Sequence, residues 1–441
     1  MSESLLSVGL DVGTTSTQLI VSRLQIENKA GSFAVPELEI EQRQILYESP
    51  VHFTPLLRGE LIDAPALKEI VDREYAAAGI SKSQVDTGAI IITGETSRKE
   101  NARAVLDVLS GYAGDFVVAT AGPDLESVLA AKGSGAAAFS AKTGKTVLHM
   151  DIGGGTSNLA LIENGNITAT ACLNVGGRLL KMTAQGQLTY VSPVLEGMFH
   201  KKAGEVVDRE EVLELAERLV QALEEAAGLR KPGGLSERLR TVDTAAFCPP
   251  PGAVISFSGG VADCIEKKQP WLAFGDLGPE LGQAIRKSRL CSGAYRLGDQ
   301  TIRATVIGAG SYSTQLSGST VFYQNVNFPL KNLPVVRNFE GLRSPDGPVV
   351  LALQGSDAPT YGVLAALADK ILRMFAGGML ILALEQDMAK ALGQILALRL
   401  GAQAKILCID RVRLEEGSFL DVGAPVGPAL PVVVKTLVLN R

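Results

Sequence analysis

Two stretches decide how this chain is read: Leu6-Ser7-Val8-Gly9-Leu10-Asp11-Val12-Gly13-Thr14-Thr15-Ser16 and Leu148-His149-Met150-Asp151-Ile152-Gly153-Gly154-Gly155-Thr156-Ser157. Each is an apolar strand that ends on an Asp, enters a glycine-bearing turn set with hydroxyls, and leads into a second strand. Glycine lets a backbone approach a ligand closely, and successive N–H groups of such a turn converge on anionic oxygens. Thr14, Thr15 and Thr156 add hydroxyl donors. Two carboxylates, Asp11 and Asp151, would repel polyphosphate unless a divalent cation lay between them, and Mg2+ with retained waters is the natural mediator. A single Asp-x-Gly turn often does no more than end a strand. Two of them, about 140 residues apart and at the same place in matching halves, point to one shared site.

The surrounding sequence supports the matching halves. Leu5–Leu10, Gln18–Leu24 and Leu38–Tyr47 read as strands, and Pro65 opens a helix through Ala78, where a first-turn proline is tolerated. Ala89–Thr93 is a buried strand, Lys99–Leu109 a helix, Phe116–Ala119 a strand and Leu125–Phe139 a helix. The strand order then restarts with Thr146–Asp151, Leu159–Glu163 and Thr168–Leu173, the last two joined by the tight turn Asn164-Gly165. Asp208 caps a helix to Ala227 whose Val212, Leu215, Leu219, Val220 and Leu223 form one stripe. Val254–Phe257 reads as a strand, Glu280–Leu290 as a helix, and Ile302–Ile307 as a strand entering Gly308-Ala309-Gly310. Ser258-Gly259-Gly260-Val261-Ala262 adds a double glycine between a strand and a helix start, a turn that lets a nucleoside lie flat on the backbone. From Val321 onward the texture changes. Strands are expected at Val349–Gln354, Leu380–Glu385, Ala404–Ile409 and Val432–Leu439, with helices at Tyr361–Phe375 and Asp387–Leu400.

Composition bounds the function classes. The chain has 441 residues, 46% hydrophobic and 20% charged, with a formal net charge of −5, which suits several folded domains and excludes disorder. The acidic balance argues against nucleic acid or an anionic membrane as the main partner. Five cysteines without a CxxC pair fit a reducing compartment and make structural zinc a poor expectation. No cationic, apolar leader opens the sequence, and the greasiest stretch, Val363–Leu384, is interrupted by Asp369, Lys370 and Arg373. A cytoplasmic protein without a membrane span is therefore expected.

Other motifs carry less. Thr143-Gly144-Lys145-Thr146 mimics the end of a P-loop, but Phe139 stands where the first glycine is required. Gly308-Ala309-Gly310-Ser311-Tyr312-Ser313 lacks the last glycine of a dinucleotide loop and any acid at ribose distance. His149 lies inside a strand with only His52 and His200 elsewhere, a poor basis for a metal or catalytic histidine. Thr93, Gly94 and Glu95 sit at a strand end and are expected to line the same mouth as the two turns.

On these motifs the chain resembles the actin, sugar-kinase and DnaK-type chaperone superfamily, two ribonuclease-H-like domains closing on ATP. Asp11–Ser16 is similar to its first phosphate loop, Asp151–Ser157 to its second and Ser258–Ala262 to its adenosine loop. Leu125–Phe139 and Gly308–Gln315 stand where the two connecting helices of that superfamily lie. The expected fold is thus α/β, with actin-like domains at 1–142 and 143–316 around a nucleotide cleft and a C-terminal α/β region at 317–441.

Further segments extend the likeness over nearly the whole chain to one family, the reactivating factors of ethanolamine ammonia-lyase. They are Ile92–Ala102, Ala121–Ser127, Leu384–Gly393, Cys408–Val412 and Pro431–Leu437. The resemblance implies a chaperone-like ATPase whose partner is that adenosylcobalamin enzyme, using ATP and Mg2+ to release damaged cobalamin so that the intact coenzyme can bind. It assigns Asp11 and Asp151 to the metal and, with Glu126, to catalysis. Nucleotide contacts are implied at Gly13, Thr14, Thr15, Ser16, Gly153, Gly154, Gly155, Thr156, Ser258, Gly259, Gly260, Thr93, Gly94 and Glu95. Self-association and residence beside a microcompartment stay open. So do two other uses of the same scaffold, a small-molecule kinase and a nucleotide-dependent assembly protein.

Overall fold

The computed structural model describes residues 3–13, 16–28, 38–57, 61–92, 105, 108–109, 119–120, 123–241, 249–312, 314–317, 320–343, 347–356, 358–414, 418–425 and 429–436. Its first sheet is built on the hairpin Glu3–Val12 and Ser16–Asn28. Strand order across that sheet is Leu38–Glu48, Ser16–Asn28, Glu3–Val12, Thr87–Ile92, Ala119–Thr120, with the short strand His52–Phe53 also pairing onto Ser16–Thr17. The first three strands are antiparallel and the last two parallel to the first. The second sheet repeats this plan: Asn166–Leu173, Ser157–Glu163, Val147–Ile152, Val254–Ser258, Tyr295–Leu297.

Strand period 2 explains what each face does. Val8, Leu10 and Val12 enter a core with Leu67, Val71 and Tyr75 of the helix Ala64–Ala77. The intervening residues turn to the other face, where the helix Ala304–Tyr312 lies. Ser7 Oγ donates to the Gly310 carbonyl at 2.5 Å there, and a Cβ on Gly9 would meet the Val306 carbonyl oxygen at 2.6 Å. In the second sheet Leu148, Met150 and Ile152 enter a core with the helices Arg209–Ala226 and Gly278–Lys287. Val147 turns the other way, against Ala131 and Ala136 of the helices Pro123–Gly133 and Ala136–Thr143. Asp11 and Asp151 share the odd-numbered face in their respective strands, the side on which the connecting helices run. Those helices touch at glycines, because a Cβ on Gly133 would sit 1.9 Å from the Ala304 carbonyl oxygen and one on Gly308 would sit 2.1 Å from that of Leu129.

Residues beyond the second connecting helix form an eight-stranded sheet. Its order is Thr314–Leu316, Pro431–Thr436, Ser418–Val422, Leu330–Val336, Val350–Leu353, Met379–Leu384, Lys405–Ile409, Phe322–Gln324. The four strands from Leu330–Val336 to Lys405–Ile409 run parallel. The helices Tyr361–Met374 and Ala389–Leu400 cover one face of this sheet. Leu316 packs with Leu5, Leu24 and Ile26, so the start of this sheet is fastened to the first one.

Most expected elements are present within a residue or two, including the Asp208-capped helix, whose Glu211 completes a capping box. Asn164-Gly165 makes its tight turn with φ of 49° and 82°. Two expectations are corrected. Ile302–Ile307 is not a strand: Ala304–Tyr312 is helical, because Gly308 and Gly310 allow backbone contact with neighbours on two sides, and that packing overrides the β-branched run. The expected helix Leu125–Phe139 is broken at Ser134-Gly135, where Gly135 takes φ +77° and a new helix starts at Ala136. The expected helix Lys99–Leu109 falls mostly outside the described residues. The strand Leu330–Val336 was hidden by Pro334, which has no N–H to give a ladder.

Candidate functional site

The two Asp-bearing hairpins close with the same backbone hydrogen bond. Gly13 N–H donates to the Ser16 carbonyl at 2.8 Å, and Gly153 N–H donates to the Thr156 carbonyl at 2.9 Å. In the first hairpin Asp11 is the register partner of Gln18, and in the second Asp151 is the register partner of Asn158. Each hairpin therefore presents a carboxylate beside an amide at the mouth of a glycine turn. Both mouths open into one cavity of ≈730 Å³. Asp11, Gly13, Ser16 and Gln18 line it from the first lobe. Asp151, Gly153, Gly154, Gly155, Thr156 and Asn158 line it from the second, and Glu126 of the connecting helix, Gly259 and Gly260 line it too.

Close backbone packing holds the second turn. A Cβ on Gly176 would meet the Gly154 carbonyl oxygen at 2.3 Å, and Gly259, at φ +85°, sits as tightly against Ile152. The carbonyls of Gly153 and Gly154 accept from the N–H groups of Gly177 and Arg178 at 3.0 and 2.6 Å. In the first turn the Gly13 carbonyl accepts from Thr54 Oγ1 at 2.7 Å, and that hydroxyl lies 3.1 Å from Thr17 Oγ1.

Asp151 is buried, and burial pushes its carboxyl up to about 6, against the downward pull of hydroxyl bonds from Ser258 and Thr305. Ser258 itself is fully buried and meets the cavity through Asp151 rather than lining it. Glu126 is buried too, and its Oε2 accepts from Asn158 Nδ2 at 2.8 Å, tying the first connecting helix to the second hairpin. Gln18 donates through Nε2 to the Ile302 carbonyl at 3.2 Å. With their NH2 groups so engaged, Gln18 Oε1 and Asn158 Oδ1 are buried and without a hydrogen-bond partner among the described residues. Two carboxylates, two amide oxygens and glycine turns suit a hydrated divalent cation carried by a polyphosphate, which keeps several of its own waters. No cluster of three or more His, Cys, Asp or Glu that could cage a bare metal ion occurs among the described residues.

Thr14, Thr15, Thr93, Gly94 and Glu95 lie outside the described residues. Sequence reading missed Gln18, Asn158 and Thr305 as cavity residues. A signal for the first two was present, since each amide follows its Asp by seven positions. Among the described residues no helix is long and apolar enough to cross a membrane, and Cys172, Cys264, Cys291 and Cys408 are buried.

Two sheets of identical strand order, two glycine-crossed connecting helices and paired acidic hairpins around one cavity define the actin-like ATPase fold, made of two ribonuclease-H-like units. The chain belongs to the family described as ethanolamine utilisation protein EutA, whose family model matches residues 3–344 and 340–440. It is 38% identical to the ethanolamine ammonia-lyase reactivase EutA of Salmonella typhimurium, over 98% of each chain. Its identity and coverage with the protein of that description from Escherichia coli are the same. Among solved structures it is similar to the Ppx/GppA family member of Aquifex aeolicus, with a TM-score of 0.41 and 14% identity over 69% of this chain and 97% of that one.

Proposed function

We propose that this protein is a chaperone-like ATPase that reactivates ethanolamine ammonia-lyase, releasing damaged cobalamin so that intact adenosylcobalamin can bind. The observation that carries the reading is the 38% identity over 98% of both chains to proteins described as reactivases of that enzyme. The partner is ethanolamine ammonia-lyase, and ATP and Mg2+ are the cofactors.

Mg2+·ATP, when bound, supplies the transferable phosphoryl group and the charge that lets carboxylates approach it. Asp11 and Asp151 would hold the hydrated cation, one from each lobe. The turns at Gly13–Ser16 and Gly153–Thr156 give the phosphates backbone N–H and hydroxyl donors, and Gly259-Gly260 gives the nucleoside a flat wall. Glu126, fixed by Asn158, orients the attacking water. Positioning and charge stabilisation are the main requirements for phosphoryl transfer, so no strong nucleophile is needed. A nucleotide shifts a closed–open equilibrium only through contacts that differ between the two states, and Asp11 and Asp151, which line the cleft from the two lobes, would make contacts of that kind. The working units on this reading are residues 1–142 and 143–316, with 317–441 as an appended region.

The test uses ethanolamine ammonia-lyase inactivated with a cobalamin that lacks its adenosyl group. Addition of this protein, ATP, Mg2+ and fresh adenosylcobalamin restores deamination, and a non-hydrolysable ATP analogue does not sustain repeated rounds. Absence of any restoration would refute the function.

A further inference from the structure

The strand face that carries Asp151 also carries a polar seam. His149 is fully buried, two residues before Asp151 on the same face of the strand. In the neighbouring parallel strand Ser256 is the register partner of His149, and Ser258 that of Asp151. His149 Nδ1 lies 3.2 Å from Ser256 Oγ, while Nε2 lies 2.9 Å from Ser258 Oγ and 3.2 Å from Ser134 Oγ. Ser134 stands at the break between the helices Pro123–Gly133 and Ala136–Thr143.

Proton bookkeeping assigns every bond in the seam. A hydroxyl has one proton. The Ser258 proton goes to the Asp151 carboxylate, and the Ser134 proton goes to the Ala131 carbonyl at 3.3 Å. Both hydroxyls can then only accept from the imidazole, so Nε2 carries its proton. Nδ1 is left bare and accepts from Ser256.

We infer that His149 is a positioning residue for the cleft: its Nε2–H fixes the lone pairs of Ser258, turns the Ser258 proton onto Asp151 and so holds that carboxylate aimed into the cleft. The inference rests on the reading of Asp11 and Asp151 as the cation-binding pair. The histidine meets neither nucleotide nor cation and acts through Ser258 alone. Partners one bond removed from a metal ligand commonly set that ligand's orientation and basicity.

The test uses the full chain in two arms. In the first, the protein without nucleotide carries 15N-histidine. His149 is the only fully buried residue of three histidines, and its long-range 1H–15N pattern is expected to be that of a neutral ring protonated on Nε2. Protonation on Nδ1 overturns the inference. In the second arm, calorimetry compares ADP affinity with and without Mg2+. His149→Leu is expected to cut the Mg2+-dependent gain by about 10–100-fold while leaving Mg2+-free ADP binding unchanged. His149→Gln, which keeps an N–H at the Nε2 position, is expected to restore most of that gain. Ser258→Ala keeps the histidine and is expected to match His149→Leu. A full gain in either His149→Leu or Ser258→Ala overturns the inference, as does a His149→Gln variant as impaired as the leucine. If the unmodified chain shows no Mg2+-dependent gain, the cation-site reading falls and takes this role with it, a result distinct from loss in the variants alone.

Discussion

A Cβ placed on Gly133 would lie 1.9 Å from the carbonyl oxygen of Ala304, so the two connecting helices meet backbone to backbone. Replacement by alanine sets two effects against each other. Alanine stabilises a helix by about 1 kcal/mol relative to glycine. The contact is with rigid backbone rather than a flexible side-chain end, and overpacking of that kind costs roughly 1–3 kcal/mol. Gly133→Ala is therefore expected to lower stability in denaturant melts, with Gly308→Ala behaving alike because of its 2.1 Å approach to Leu129. A stabilised Gly133→Ala variant would show that the helices can separate freely.

Asp11 and Asp151 line one cavity from two lobes. Asp11→Asn keeps the shape and removes the charge. Restoration of the inactivated ammonia-lyase is expected to fall by on the order of 100-fold, in line with losing one charge-stabilising contact, while circular dichroism and melting stay near those of the unmodified chain. Full restoration by this variant would remove Asp11 from the proposed cation site.

Asn158 donates to Glu126 at 2.8 Å, and both are buried. Asn158→Asp would put two buried carboxylates at that distance and replace the Asn158 donor with a like charge. A loss of about 1–3 kcal/mol is expected at neutral pH, shrinking as the pH falls and one carboxyl takes a proton. The double variant Asn158→Asp/Glu126→Gln exchanges donor and acceptor and is expected to recover part of the loss. Urea melts at two pH values test both statements.

Asp410 is fully buried, and its Oδ2 accepts from Thr320 Oγ1 and, at 3.3 Å, from Ala389 N–H. Burial pushes its carboxyl up to about 6; the Thr320 bond pulls it down, and neighbouring Asp387 raises it again. The folded value lies above the model-peptide value of 3.8, so its contribution to stability is fully present below that value and is lost as pH rises through 6. The protein without ligands is expected to melt at a higher temperature near pH 5 than near pH 7 through this group. Asp410→Asn should flatten that part of the profile, and an unchanged profile would assign it elsewhere.

Asp151 gives the cleft its own pH dependence. Its carboxyl, also raised to about 6, must be ionised if it is to hold a cation as proposed. Apparent Mg2+ affinity in the presence of ADP is expected to be flat above that pH and to fall about tenfold per unit below it, as one proton competes with the metal. Calorimetry between pH 5 and 8 checks the slope.

The parts of the fold legible in the sequence were those with local signals. The hairpins ending at Asp11 and Asp151 announce themselves by apolar runs and glycine turns, and the helix after Asp208 by its cap and its stripe. What failed depended on distant contacts. The segment Ile302–Ile307 carries a strand-like composition, and only its packing against Gly9 and the Leu129–Gly133 backbone makes Ala304–Tyr312 helical. The surroundings of His149 come from Ser134, Ser256 and Ser258, of which the last two lie more than a hundred residues away in sequence and reach it through strand register. No window of sequence holds them together.

Leu316 packs among Leu5, Leu24 and Ile26, and its strand pairs with Pro431–Thr436 at the edge of the eight-stranded sheet. That sheet is bolted to the first lobe and follows directly from the helix that crosses at Gly308. Any movement of the first lobe would therefore carry the appended sheet with it as one body.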